Sequence, residues 1–212
     1  MIPISDTTRR PVRFPIMCVL IIATNVAMFL LELSGGDAFI VRWSLIPREI
    51  TSGHHWITLL TAMFMHAGWE HIIGNMVFFW AFGPEIEDAM GSMRFLVFYL
   101  VGGLVAFAAQ IAAAPNSSVP NLGASGAIAA VMGAFLIAYP RDRIRTVLLI
   151  GVFIDVTVLP AALLIGIWIV LQIFMEVGSL AQVQTGGVAY MAHIGGFLYG
   201  MIFSAFFERM RQ

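Results

Sequence analysis

Six apolar segments, separated by more polar connections, restrict what this chain of 212 residues can fold into. Each segment is about 15 to 19 residues long and nearly free of charge, close to the roughly 20 residues that a helix needs to cross a bilayer. Shorter helices are tolerated where neighbouring helices shield their ends. We therefore predict six membrane spans, at about Pro15–Leu33, His66–Phe82, Phe95–Ala113, Ser125–Tyr139, Ala161–Met175 and Ala189–Phe207.

The composition favours a membrane protein over a soluble one. Hydrophobic residues make up 60% of the chain and charged residues 11%, whereas a soluble domain is about 45–50% apolar and about 25% charged. A single water-soluble core could not bury this much apolar surface. The predicted fold class is an all-α, integral multi-pass membrane protein. Its six-helix membrane domain spans 15–207, between a short segment at 1–14 and a tail at 208–212.

The arginines predict the orientation in the membrane. All 11 basic residues are arginine, and with six spans only Arg42 and Arg48 lie on the side opposite the N-terminus. Basic residues accumulate in cytoplasmic loops, so we predict that both termini are cytoplasmic. The use of arginine alone, with no organelle address, leads us to expect a bacterial inner membrane. The uncharged run Pro15–Leu31 is long for a signal peptide, so we expect an uncleaved first span.

Residue content disfavours several functional classes. The single cysteine, Cys18, lies in the first apolar segment and excludes a disulfide framework and a cysteine-based zinc site. The five histidines lack carboxylate partners at the same depth, so we expect no metal and no other cofactor. No basic patch with interleaved aromatic residues is present, so nucleic acid is not an expected partner. The expected environment is the lipid bilayer.

Three connections differ from ordinary solvated loops. Residues 34–65 include Trp43 and Trp56 and are expected to lie partly in the membrane interface, where tryptophan is favoured. Residues 144–160 are apolar but contain Asp155, and we expect an interfacial piece on the cytoplasmic side. Residues 176–188 are more polar and contain glycine, and we expect a mobile cap.

Ser125 is the first candidate for chemistry. It opens the predicted fourth span within the run GASG at 123–126, after a loop rich in proline and asparagine. A serine among small residues in a membrane helix usually serves packing. At a helix start, however, backbone N–H groups lack intrahelical acceptors and favour developing negative charge. Taken alone, Ser125 fits both roles.

His193 is the second candidate, because a histidine inside a span is costly and is a functional candidate by default. Small residues at a spacing of four allow helices to approach closely. Span six has such a stripe after His193, at Gly196, Gly200 and Ser204, and span four has one after Ser125, at Gly126, Ala130 and Ala134. Both residues lie about 21 Å from the cytoplasmic ends of their spans. We therefore expect a hydrogen bond in which a neutral imidazole acts as base for the serine.

His71 and Asn75 are four residues apart on span two and share a face. Hydrolysis of a peptide bond needs donors directed at the oxyanion, each worth about 3 kcal/mol in the barrier. These two side chains and the Ser125 N–H could supply them, although hydrogen bonds between helices are the alternative role. No suitably placed acid completes a triad. We therefore predict a Ser–His dyad, with His193 oriented by packing or by a backbone carbonyl.

Three ordered runs, HAGWEHIIGN at 66–75, GASGA at 123–127 and AHIGG at 192–196, resemble the signatures of rhomboid intramembrane serine proteases. Glu87 and Gly91 also resemble the family pattern. The resemblance implies Ser125 as nucleophile, His193 as base, and His71 and Asn75 as oxyanion donors. It implies single-span membrane proteins as substrates, with span five and the 176–188 loop as gate and cap. We assign packing or substrate contact around the serine to Gly123, Gly126 and Gly196.

Two departures from the family pattern concern positioning. Some members carry an aromatic residue four positions after the serine, where this chain has Ala129, so the orientation of His193 must come from elsewhere. The outer loop has Trp56-Ile57 where Trp-Arg is frequent. Two alternatives to an active protease are a non-catalytic rhomboid-like protein that binds membrane clients and a transporter with a polar midplane site.

Overall fold

The computed structural model describes residues 1–150, 153–180 and 190–208. Within them the helices are α1 (Ile16–Trp43), α2 (Pro47–Thr51), α3 (Thr58–Thr61), α4 (Trp69–Met90), α5 (Ser92–Ala113), α6 (Ser125–Ala138), α7 (Ala161–Leu180) and α8 (Tyr190–Glu208). A 3₁₀ turn at Ala62–Phe64 follows α3. The six segments predicted as spans overlap, in order, with the helices α1, α4, α5, α6, α7 and α8, although α1 and α4 extend 10 and 8 residues further than predicted.

Two of the described helices, α1 and α5, are long and apolar enough to cross a membrane by length and composition. Helix α6 and the segment Ala161–Phe174 of α7 are shorter apolar helices. The predicted cap at 176–188 overlaps the end of α7 as far as residue 180, and its remainder lies outside the described residues. Helix α1 continues beyond the predicted span and changes direction at Gly36, whose φ of 62° is not helical.

The start of α1 is held by a carboxylate from the end of α4. The N–H groups of Met17 and Cys18 donate to the two Glu87 oxygens over 3.0 and 2.8 Å. The Ser92 hydroxyl donates to the same carboxylate over 2.6 Å. Because the first N–H groups of a helix have no intrahelical acceptors, this buried carboxylate satisfies them. It thereby ties α1 to the α4–α5 connection.

The prediction of an all-α fold is wrong in one region. A three-stranded antiparallel sheet has the order β1 (Ile2–Asp6), β2 (Arg143–Ile150) and β3 (Phe153–Pro160). The hairpin pairs Arg143 with Pro160 and Ile150 with Phe153, so the expected interfacial piece at 144–160 consists of strands. The sequence carried the signal as alternation from 143 to 146, where exposed Arg143 and Arg145 alternate with buried Ile144 and Thr146. Such alternation indicates a strand.

Helix α6 is the centre of the bundle. Every residue from Gly126 to Phe135 is buried, and α4, α5 and α8 pack around it. A helix that is apolar on all sides is stable only when surrounded by other elements or by lipid. Helix α6 has only 14 residues, and a helix this short is tolerated in a membrane where neighbouring helices shield its ends.

Helices α6 and α8 approach each other at backbone distance. A side chain added at Gly196 would overlap the Gly126 carbonyl, and one added at Gly200 would overlap the Ala130 carbonyl. From the opposite side, Gly133 faces the Phe197 carbonyl in the same way. The predicted stripes of small residues therefore meet at 126 with 196 and at 130 with 200.

Candidate active site

Ser125 and His193 meet where α6 and α8 begin. Ser125 is the first residue of α6, and His193 lies in the first turn of α8. The distance between Ser125 Oγ and His193 Nε2 is 2.7 Å, that of a hydrogen bond. His193 is only 7% exposed. The contact between Gly196 and the Gly126 carbonyl lies one turn below, and any bulkier pair there would separate the two side chains.

The second ring nitrogen of His193 has a partner that the sequence reasoning missed. His193 Nδ1 lies 2.7 Å from Gln172 Oε1, on α7. An amide oxygen can only accept a hydrogen bond, so Nδ1 carries the proton of a neutral imidazole and Nε2 is left as an acceptor. The prediction was that packing or a backbone carbonyl orients His193; at Nδ1 the structure has a side-chain amide in place of a carbonyl.

Aromatic rings surround His193. The Trp168 ring on α7 lies 5.6 Å from the imidazole centre at 42°, and the Tyr190 ring lies 6.4 Å away at 82°. Position 129, where some family members have an aromatic residue, is a fully buried alanine. Trp168 is one turn before Gln172, so both contact His193 from the same face of α7. A tryptophan and a glutamine four residues apart in an otherwise apolar span were the signal available in the sequence.

His71 presents one ring nitrogen to the space beside the serine. Its Nδ1 accepts the Ala67 N–H over 3.3 Å, so the proton of a neutral ring lies on Nε2. A side-chain atom placed at Gly123 would lie 2.9 Å from this Nε2 and 3.5 Å from Ser125 Oγ. Gly123 has a φ of 131°, which side chains disfavour. The glycine therefore keeps open a small space between a donor and the serine hydroxyl.

Asn75 lies one turn after His71 on α4 and is 8% exposed. Its Nδ2 is buried and has no hydrogen-bond acceptor among the described residues. An unsatisfied buried donor is costly and calls for an explanation. The N–H of Ser125, at the start of α6, also lacks an intrahelical acceptor. His71, Asn75 and Ser125 all line one cavity, so these donors face a common space.

A cavity of about 980 Å³ lies over these groups. Its polar wall includes His71, Asn75, Ser125 and His193, and its apolar wall includes Phe78, Ile128, Met132 and Trp168. Pro120 to Leu122, just before α6, form another part of the lining. The cavity has room for a short extended peptide, and Ser125 on its polar wall is half-buried.

His66 lies behind His71 and does not line the cavity. It is 1% exposed, and the two imidazole centres are 5.1 Å apart. The His66 N–H donates to both oxygens of Glu32 over 3.1 Å. These contacts agree with a structural role, since they fix the chain just before α4. Asp155, which was considered as an acid, lies on β3.

Comparisons with known proteins agree on one family. The family model described as Rhomboid domain matches residues 53–209. The rhomboid protease GluP of Bacillus subtilis is 33% identical over 149 residues, which are 68% of this chain and 29% of that protein. The mitochondrial rhomboid protein 1 of Saccharomyces cerevisiae is 27% identical over 202 residues, 91% of this chain and 54% of that protein. The chloroplastic Rhomboid-like protein 11 of Arabidopsis thaliana is 29% identical over 158 residues, 69% and 51% of the two chains. This chain therefore spans about half or less of the length of these relatives.

Proposed function

This chain belongs to the rhomboid family, and from that premise we propose that it is an intramembrane serine endopeptidase. It hydrolyses peptide bonds in or near the membrane segments of single-span proteins. The observation that carries the proposal is the 2.7 Å contact between Ser125 Oγ and His193 Nε2 at the edge of a cavity inside an apolar bundle. A non-catalytic relative that only binds clients would have no need of this contact.

Acylation begins when Ser125 Oγ attacks the carbonyl carbon of the scissile bond and its proton moves to His193 Nε2. The carbonyl oxygen becomes an oxyanion, and His71 Nε2, Asn75 Nδ2 and the Ser125 N–H donate to it. When the intermediate collapses, the C–N bond breaks and His193 returns the proton to the leaving amine. The result is an ester between Ser125 and the N-terminal part of the substrate.

Deacylation repeats these steps with water. A water molecule gives a proton to His193 Nε2 and attacks the ester carbonyl, and the same donors bind the second oxyanion. Collapse breaks the bond to Ser125 Oγ, and His193 returns the proton to the serine. Water must therefore reach the cavity, although the site lies among apolar helices.

The environment proposed for this reaction is a bilayer crossed six times, with both termini cytoplasmic. The arginine distribution supports this orientation. We propose a bacterial inner membrane as the compartment. Residues 15–207 form the membrane domain in this proposal, between a cytoplasmic segment at 1–14 and a tail at 208–212.

The test is cleavage of a single-span reporter by the purified chain in proteoliposomes. Ser125→Ala and His193→Ala should each lower kcat at least about a thousandfold, because nucleophile and base act as a unit. Asn75→Ala should lower kcat roughly a hundredfold by removing one oxyanion donor. His54→Ala, at an exposed histidine, is the matched control and should cleave normally. Full cleavage by a folded Ser125→Ala variant would disprove the proposed mechanism.

A further inference from the structure

Gln172 is a half-buried polar side chain on α7, whose described residues from Gly166 to Phe174 are otherwise apolar. We propose that Gln172 is a positioning residue that selects the tautomer of His193, an inference that rests on the proposed function. Its Oε1 lies 2.7 Å from His193 Nδ1, on the side of the imidazole opposite Ser125. The three side chains form a continuous chain of hydrogen bonds from α7 through α8 to α6.

The chemistry of an amide explains what this contact does. A neutral imidazole carries one proton, on either Nδ1 or Nε2. Nε2 can accept the proton of Ser125 only when the imidazole's own proton is on Nδ1. An amide oxygen at Nδ1 favours this tautomer, because it accepts from N–H and repels a lone pair. Without the contact, Nε2–H becomes accessible, and a ring in that form cannot act as base for Ser125.

Gln172 stabilises the Nδ1–H tautomer of His193 without carrying a charge. A carboxylate at the same place would have to be desolvated inside an apolar bundle, which is costly unless the charge is paired. A neutral amide avoids that cost and still accepts the hydrogen bond. The site therefore replaces the acid of a triad with glutamine, and Trp168 one turn earlier limits rotation of the ring.

Kinetics of Gln172 variants give the first test. Gln172→Leu keeps the size of the side chain and removes the acceptor, and kcat should fall roughly tenfold with KM unchanged. Ile173→Leu, at an exposed neighbour on α7, should leave kcat unchanged. An unchanged kcat in a folded Gln172→Leu variant would overturn the inference.

Nuclear magnetic resonance gives a second test that does not depend on activity. In Ser125→Ala protein with ¹⁵N-labelled histidine, the only remaining polar partner of the His193 ring among the described residues is Gln172. The His193 spectrum should show the proton on Nδ1, and Gln172→Leu in the same background should shift the population towards Nε2–H. Identical spectra would refute the role of Gln172 even in an active protease. If the population shifts but the parent protein, with Ser125 intact, cleaves no reporter, only the proposed function is disproved.

A second cavity, of about 660 Å³, lies at the opposite end of the bundle, where α1 begins. Its lining comes from Ser5 to Pro15, from the second half of α4 and from β2. Four arginines contribute to it, Arg9, Arg10, Arg13 and Arg145. A general preference for basic residues on the cytoplasmic side accounts for their number but not for their convergence on one cavity.

The guanidinium groups of three of these four arginines have no hydrogen-bond or ion-pair partner in the described part of the chain. Arg9 donates to Asp142 over 3.1 Å and lies over the Tyr139 ring. No ion pair or side-chain hydrogen bond involves Arg10, Arg13 or Arg145, and all three are exposed. Two carboxylates, Asp6 and Glu85, also line the cavity, and two more lie beside it: Asp142 pairs with Arg9, and Asp88 accepts the N–H groups of Val12 and Arg13. The guanidinium groups of Arg10, Arg13 and Arg145 remain without a carboxylate at ion-pair distance among the described residues. Burial raises the pKa of Asp6, with a further contribution from Asp142, and this reduces its negative charge.

Apolar side chains lie beside the arginines and point to the kind of anion. Val12 is 90% exposed and Phe14 is 70% exposed, immediately before the apolar helix α1. Trp80 on α4 is also part of the lining. Inorganic phosphate has no apolar part that could contact these side chains, whereas a phospholipid has both a phosphate and acyl chains. We infer that this cavity binds the phosphate of an anionic phospholipid, with Val12, Phe14 and Trp80 against the lipid chains.

Thermal unfolding of the detergent-purified protein tests this site. Phosphatidylglycerol should raise Tm by several degrees, and phosphatidylcholine and inorganic phosphate should raise it much less. The triple variant Arg10→Gln, Arg13→Gln, Arg145→Gln should lose the response to phosphatidylglycerol. Arg94→Gln, an exposed arginine outside the cavity, should keep it.

Three outcomes would overturn this second inference. They are an equal response to both lipids, an equal response to inorganic phosphate, and a response that survives in the triple variant. If the triple variant does not fold, Arg145→Gln alone, with retained lipid measured by native mass spectrometry, decides the question in the same way.

Discussion

Helix α8 carries His193 and contacts α6 and α7 in different ways. Towards α6 the contact is made by backbone, with glycines at 196 and 200 against carbonyls of the facing helix. Towards α7 it is made at the site by two long side chains, Trp168 and Gln172. The first contact tolerates no added atom, whereas the second depends on particular functional groups. The comparison teaches that distance to the serine and orientation of the imidazole are controlled by different residues.

The two helices also differ in how deeply they are packed. All residues of α6 from Gly126 to Phe135 are buried, whereas none of the described residues of α7 from Gly166 to Phe174 is buried. Among the α7 side chains that the structure describes, from 161 to 174, the deeply buried ones are in the first turns, at Ala161, Leu164 and Ile165. Changes on the α6 side should therefore affect folding and activity together, and changes on the α7 side should affect activity first.

Among changes that test the contrast between the α6 and α7 contacts, the largest effect is expected from Gly200→Ala. The added methyl would overlap the Ala130 carbonyl, so α6 and α8 would separate. Overpacking of this kind costs about 1–3 kcal/mol, and a shift of about 1 Å at the serine can cost a hundredfold in rate. We expect a lower Tm and a loss of reporter cleavage.

Gly166→Ala on α7 is the matched control, because nothing lies within 4 Å of the added methyl. Alanine is the better helix former by about 0.5–1 kcal/mol, so Tm should stay the same or rise and cleavage should persist. Equal destabilisation by the two substitutions would remove the contrast between the α6 and α7 contacts.

Acidification is expected to have the next largest effect. The proposed base must present an unprotonated Nε2 to Ser125, so kcat/KM should fall about tenfold per pH unit once His193 is protonated. The measurement is reporter cleavage from neutral pH down to the lowest pH at which Tm shows that the protein is still folded. A buried imidazole resists protonation, so only a profile that stays flat over this whole range would contradict the role of His193 as base.

The smallest expected effect is that of Trp168→Leu, which tests the α7 side without touching a hydrogen bond. Loss of the ring beside His193 should lower kcat severalfold, because aromatic contacts are worth about 0.5–1.5 kcal/mol. Trp168→Phe should retain most of the activity. Both variants should unfold close to the temperature of the parent protein. A large drop in Tm for Trp168→Leu would show that α7 is packed as tightly as α6.

The order and type of the main elements could be predicted from sequence, because apolar length alone identifies helices in a bilayer. Each of the six predicted segments corresponds to a described helix. The sheet was missed because hydropathy treats residues 143–160 as one apolar stretch. Pairing of β1 with β2 joins residues about 140 positions apart, and no local pattern predicts such a partner.

Glycine stripes and polar residues within apolar spans were sufficient to predict that Ser125 and His193 lie close together. Such residues are unusual in a span, so each one can be recognised without knowledge of its neighbours. Gln172 is equally polar, but nothing in its local sequence says that it faces His193 rather than lipid. The sequence likewise shows that Arg10, Arg13 and Arg145 are charged, but it does not show that they line one cavity.

By itself, the sequence determined the class of protein, the helices and the pair of helices that approach closely, because these follow from local composition and from small residues at fixed spacing. Only the tertiary structure decided which atom faces each nitrogen of His193 and which arginines surround a common cavity. Those contacts join three separate segments each, and their geometry arises from packing of the whole bundle rather than from the residues beside them in the chain.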